Sequence, residues 1–240
     1  NINPTWDHSW KPLDTLYSLD WRWELSGQTY LGIFYRGLTE RLKPENFEFL
    51  PPDPRYASTQ RGFSWNTNFS RLFGLQGEFS WGTAINLVPP EGTPPVLGNA
   101  TEGNVGFTLY PTYFLRVEGT YILSRLLERS NESSVFNNHI ARTKVSWQFS
   151  REASARMILQ YNSILANPEN SSLETDRNFN ADFLFTYQVN AWTAFYAGAN
   201  TNFQNFALVR DDPISRLIRV PDLRNDSWQF FVKYSHFFDF

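Results

Sequence analysis

Apolar and polar side chains alternate with a period of two along most of this chain, and a helical period is convincing nowhere. The apolar positions begin with Tyr17, Leu19, Trp21, Trp23 and Leu25, then Leu31, Ile33 and Tyr35. They continue with Phe63, Trp65 and Phe69; Leu75, Phe79, Trp81 and Ile85; Val105, Phe107 and Leu109; and Tyr113, Leu115, Val117, Tyr121 and Leu123. The second half repeats the pattern at Ala141, Val145, Trp147 and Phe149; Ala155, Met157, Leu159 and Tyr161; Phe179, Phe183, Phe185 and Tyr187; and Ala191, Phe195, Ala197 and Ala199. It closes with Trp228, Phe230, Val232, Tyr234, His236, Phe238 and Phe240. None of these positions is Asp, Glu, Lys or Arg. The intervening positions are densely polar: Asp20, Arg22 and Glu24; Arg36; Glu78; Arg116 and Glu118; Arg142 and Lys144; Arg156; and Asp182.

Eleven strands follow from this count, and their connections alternate in length. Short ones are expected near Ser26-Gly27-Gln28, Ser70 to Gly74, Tyr110-Pro111-Thr112, Ser150-Arg151-Glu152 and Gln188-Val189-Asn190, and long ones in between. The prolines are expected to fall outside strands, because proline removes a ladder donor. Short turns on one side and long loops on the other is the outer-membrane pattern, with the short turns periplasmic. The expected fold is therefore all-β, a transmembrane antiparallel up-and-down β-barrel with about eleven or twelve strands in this chain. A soluble sandwich also alternates, but a core about 10 Å thick has little room for indole and phenyl rings on every strand.

An odd strand count puts the N-terminus on the wrong side for a bacterial barrel. Either residues 4–12, with Trp6, His8 and Trp10 alternating, add a strand, or the chain is the C-terminal part of a larger barrel. Pro4 and Pro12 flank a short run, which favours the second.

Composition sharpens the same picture. Aromatic residues make up 18% of the 240, as 22 Phe, 11 Tyr and 9 Trp, and such a load needs an apolar medium. A mean hydropathy of -0.44 does not argue otherwise, because alternation hides a barrel's apolar residues in the average. Cys is absent, which excludes disulfides, thiolate metal sites and a cysteine nucleophile. A net charge of -3 offers no footprint for nucleic acid.

The ending WQFFVKYSHFFDF, with Trp228, Phe230, Tyr234, Phe238 and Phe240 on one parity, resembles the C-terminal signal of outer-membrane proteins. That resemblance implies recognition by the bacterial barrel assembly machinery. The stretches RYASTQRGFSWNTNFS, NHIARTKVSWQFSREASARMILQYNS and NFNADFLFTYQVNAWTAFYAGAN, with the ending, resemble a more specific family. This is the outer-membrane barrel domain of unknown function that follows a family 9-like carbohydrate-binding domain. Arg156, Gln160, Tyr161, Asn162 and Ser163 match its RxxxQYNS-like strand, and the Glu40 to Tyr56 stretch resembles a loop of the family. Ala191, Trp192 and Thr193 depart from its usual Pro-Gly-Thr. The resemblance implies an N-terminal carbohydrate-binding-like module and earlier strands ahead of this chain, and no catalytic residue.

Candidate chemistry is sparse. His236 falls on the lipid-facing parity, His139 lies at a strand start near the outer rim, and His8 is unplaced, so no histidine converges with a nucleophile. Glu169, Glu174 and Asp176 could offer oxygen ligands to Ca²⁺, although solvated loop charge accounts for them on this composition. The expectation is no enzyme, metal or cofactor. The polar positions Asp20, Arg22, Glu24, Arg36, Glu78, Arg116, Glu118, Arg142, Lys144, Arg156 and Asp182 are expected to line a lumen. An open lumen makes a porin-like or transport barrel for small solutes, with glycans suggested by the resemblance. A sealed one makes an anchor or docking partner for an N-terminal module or other envelope proteins. Either would sit in outer-membrane lipid.

Overall fold

The computed structural model of the chain describes residues 1–6, 8, 10, 12–47, 49–52, 54–211 and 214–237. Twelve strands run in chain order. They are β1 (Ile2–Trp6), β2 (Pro12–Leu25), β3 (Thr29–Arg41), β4 (Arg55–Ser70), β5 (Phe73–Ile85) and β6 (Leu97–Thr112). The second half holds β7 (Leu115–Glu128), β8 (Ser134–Gln148), β9 (Ala153–Ala166), β10 (Asp176–Asn190), β11 (Thr193–Asp211) and β12 (Ile214–His236). All belong to one sheet in the order β1 to β12, each antiparallel to its neighbour. The fold is thus an all-β, up-and-down sheet of the barrel type. Its edges, β1 and β12, are not paired with each other among the described residues.

Register converts the period-two pattern into two faces. One rung runs Asp20, Phe34, Gly62, Ser80, Glu102, Ser124, Asn138, Ile164 and Asp176, each the Cα partner of the next. From β2 to β11, apart from register shifts at strand ends, even-numbered residues oppose even-numbered ones and so share a face, because successive side chains in a strand point to opposite sides. β12 joins with the parity reversed, through Asn200 opposite Gln229 and Ala199 opposite Phe230.

Short hairpins close one end. The β2–β3 turn takes positive φ at Gly27 (75°) and Gln28 (53°), the twist that a tight hairpin demands. Connections at residues 71–72, 113–114, 149–152 and 191–192 complete that end, in register with the expected alternation. At the other end lie the longer loops 42–54, 86–96 and 167–175.

Several expectations need correction. Residues 4–12 do not form the extra strand as a unit. Ile2–Trp6 does, while His8 sits in a turn and Trp10 in a bend with φ of 60°. Tyr113 belongs to the β6–β7 turn and is fully exposed, because β6 runs on through Pro111 and Thr112. Four prolines lie inside strands. Pro4 is on the edge strand β1, Pro12 opens β2, and Pro111 follows a register shift after Leu109. Pro221 lies where the β11–β12 register jumps between Gln204 and Phe206. Edges, strand starts and irregularities are where a missing N–H costs least. The long loop expected between the last two strands is built instead as hairpin arms, since β11 has 19 residues and β12 has 23.

Among the described residues no second layer packs on the sheet. The accessible surface is 16448 Å², against about 11,000 Å² for a compact protein of this mass. Buried apolar side chains are few: Phe34, Leu42, Ala100, Leu126 and Val135. Trp21, Trp23, Phe183, Trp228, Phe230 and Tyr234 are all exposed on the odd face of β2 to β11 and its continuation on β12.

Candidate lumen and its loop-covered end

The eleven charged residues expected to line a lumen all lie on the even face. The structure brings only some of them into contact. Arg36 reaches across β4 to Glu78 at 3.1 Å, and its guanidinium lies 4.0 Å from the centre of the Phe34 ring. That reach works because Gly62 lies between them. A Cβ there would stand 2.6 Å from Phe34 Cζ and press on the backbone of Phe79 and Ser80. Phe34 is 6% exposed, an aromatic on the polar face that fills the space a side chain would take. Counting apolar parity alone misses it.

On β7 and β8, Glu118 draws two cations. Arg116 donates to its Oε1 at 2.8 Å, and Lys144 Nζ stands 3.1 Å from Oε2. The lysine contact is an ion pair off hydrogen-bond geometry, since Oε2 has no hydrogen-bond partner. Asp182 accepts from Asn200 Nδ2 on the neighbouring strand. Arg142 opposes Gln160, and Arg156 opposes Ser146 and Leu184. Neither has a carboxylate partner among the described residues. Asp20, Arg22 and Glu24 occupy the same face near the β2–β3 turn and are exposed.

The loop end of the even face is covered. Asn86, 3% exposed, donates to Asn170 O at 3.0 Å, and Ser172 N donates to Val88 O at 3.0 Å. Asn170 also donates to Ser134 O at 3.1 Å, and Tyr56 donates its hydroxyl to Pro95 O at 2.9 Å. Loops 86–96 and 167–175 are therefore tied together across the strands between them. Beneath this tie Ala100, Leu126 and Val135 form the buried apolar cluster, with Ala84 and Phe136 against it.

Next to the cover, Arg219 clamps the β9–β10 loop to β12. It donates to Glu174 Oε2 at 2.6 Å and to Asp176 Oδ1 at 2.9 Å, over the Phe206 ring at 4.4 Å. Asn205, 2% exposed, accepts from Arg177 N at 3.0 Å and donates to Thr175 O at 3.0 Å. Two of the three acidic residues considered for Ca²⁺ are thus engaged by a guanidinium.

Two of the three histidines, His139 and His236, occupy the opposite face. His139 Nδ1 and the Tyr121 hydroxyl are 2.7 Å apart, and His236 Nδ1 is 2.8 Å from Thr193 Oγ1. His139 sits within β8, opposite Leu123, rather than at a strand start. Trp228, Phe230 and Tyr234 of the terminal aromatic set share that outer face, and Phe238 and Phe240 lie outside the described residues. Ring pairs recur along the odd face. Trp147 and Phe149 (4.6 Å) lie beside a short turn, while Tyr17 and Tyr35 (6.1 Å) and Tyr121 and His139 (6.1 Å) sit near the middle of their strands. No protein-family model matches the chain, and no curated protein matches it.

Proposed function

We propose that this chain is an outer-membrane β-barrel segment whose even face lines an aqueous lumen and whose odd face meets lipid, and that it passes small solutes. One observation carries the reading: a continuous aromatic-rich face on which no described residue packs, on a chain exposing 16448 Å². In water such a face is an association liability, whereas lipid needs no complementary layer. The Trp147 and Phe149 rings beside a short turn suit a headgroup region, where aromatic rings prefer to lie. The strands, 13 residues or longer from β2 onward, exceed the roughly 9–11 needed to cross a bilayer. The short turns are then periplasmic, and the terminal aromatic strand is the segment offered to the assembly machinery. The resemblance to barrels that follow carbohydrate-binding domains makes small glycans the solute class to try first.

A sealed barrel, serving as an anchor or as a docking partner for other envelope proteins, is favoured by a different observation, the tie between loops 86–96 and 167–175 over the even face. Single-channel recording in planar bilayers separates the two. The open reading expects stepwise conductance that grows when Asn86→Ala cuts the tie. A flat current from correctly folded protein would leave the anchor.

A further inference from the structure

Charge on the even face is segregated. Strands β2 to β6 carry Asp20, Glu24, Glu78 and Glu102 against Arg22 and Arg36. Strands β7 to β9 carry Arg116, Arg142, Lys144 and Arg156, against Glu118 and, at the loop end of β7, Glu128. Arg116 and Arg156 are both on the rung of Ser146, one strand to either side, so their Cα atoms lie about 10 Å apart. Small Ser146 and Ser154 leave the floor between them open. The result is a depression of about 520 Å³ lined by Tyr110, Arg116, Lys144, Ser146, Ser154 and Arg156. The volume lies within the usual range of small-molecule sites.

We propose that this depression binds the oxyanion group of an acidic solute, a carboxylate, sulfate or phosphate carried on a small molecule. The inference rests on the reading of the even face as water-facing. Arg116 and Lys144 are held by Glu118 at 2.8 Å and 3.1 Å, which fixes them on the wall and leaves one carboxylate for two cations. Arg156 has no carboxylate partner among the described residues and supplies a further fork, a geometry matched to two oxygens of one anion. The serine hydroxyls add neutral donors, and the Tyr110 ring under Arg116, 5.6 Å away, gives an apolar shoulder for the rest of the solute. The more acidic strands β2 to β6 of the same face repel anions toward this wall. A lipid phosphate is the poorer fit, because these residues point away from the apolar face.

Titrating inorganic phosphate into the refolded full chain in neutral detergent, at low ionic strength and by calorimetry, tests the subsite directly. Saturable binding is expected, with Arg156→Gln weakening it about tenfold, the loss of one charged hydrogen-bonding partner. Arg156→Lys should restore part of the loss, and Arg125→Gln, on the other face, should change nothing. Phosphate that fails to bind, or binds the Arg156→Gln variant as well as the original, overturns the proposal. Should Arg156→Gln misfold, Ser146→Leu fills the floor and must abolish binding. Bilayer recordings keep the two readings apart. Conductance without phosphate binding removes the subsite alone, and binding without conductance removes the channel while leaving the subsite.

Discussion

The two faces of the sheet satisfy their side chains in different ways. On the even face, polar groups find each other: Arg36 with Glu78, Arg116 and Lys144 with Glu118, Asn200 with Asp182. On the odd face, rings lie in tilted or stacked pairs that no described residue covers, with Trp228 at 68% exposure and Phe230 at 61%. A polar face can be completed within one layer because hydrogen bonds and ion pairs are local and directional. An apolar face cannot, since its stabilisation depends on area removed from water by something outside the sheet. That contrast is what supports the proposed contact with an apolar medium on the odd side only.

Substitutions at adjacent positions put that contrast at risk most directly. Phe183, midway along β10 and 47% exposed, should not tolerate Arg. The expected cost is about 2–4 kcal/mol in a lipid refolding titration, the range for a cation at the bilayer midplane. Asp182→Arg, one residue away on the even face, should cost far less. Equal costs would erase the distinction between the faces.

The covered end of the even face is the exception to its polarity, and Leu126 marks it. At 3% exposure, against Ala100 and Val135, Leu126→Ala should cost about 2–3 kcal/mol by leaving a cavity. Leu31→Ala, on the odd face at 43% exposure, should cost clearly less. Smaller again, about 1–2 kcal/mol, is the expected loss from Asn205→Ala, which orphans buried backbone groups at Arg177 and Thr175. Faster proteolysis of the β9–β10 loop would report it.

Much of this was legible in the sequence because sheet register multiplies a local signal. Each strand's alternation fixes its own faces, and pairing without a slip through the body of β2 to β11 aligns them all. The eleven lumen candidates share a face for that reason. What stayed hidden depended on contacts between distant segments. Phe34 breaks the local pattern and makes sense only beside Gly62, which is its partner across the sheet. Leu126 sits on the polar parity and is buried by loops that meet far from it in sequence. The arms of β11 and β12 read as loop because Pro221 and a register jump interrupt alternation, yet pairing resumes from Phe206 opposite Arg219. A period-two reading sees strands whose environment is uniform, and it fails where loops supply the environment.

The smallest expected effect is the most informative about the even face itself. Arg36 and Glu78 are bonded at 3.1 Å, with side chains 40% and 35% exposed. If that face meets water, their coupling in a double-mutant cycle with Arg36→Gln and Glu78→Gln should lie in the surface range, about 0.2–1 kcal/mol, and shrink as salt rises. A sealed, dry interior would raise the coupling to several kcal/mol and remove its salt dependence, because desolvated partners are costly to separate. The ring of Phe34 beneath Arg36 complicates the single variants by adding a cation–π contact at 4.0 Å. The cycle cancels that contribution, since it is lost equally with and without Glu78. Salt sensitivity then measures wetness at a point midway along the sheet, independently of whether any current flows.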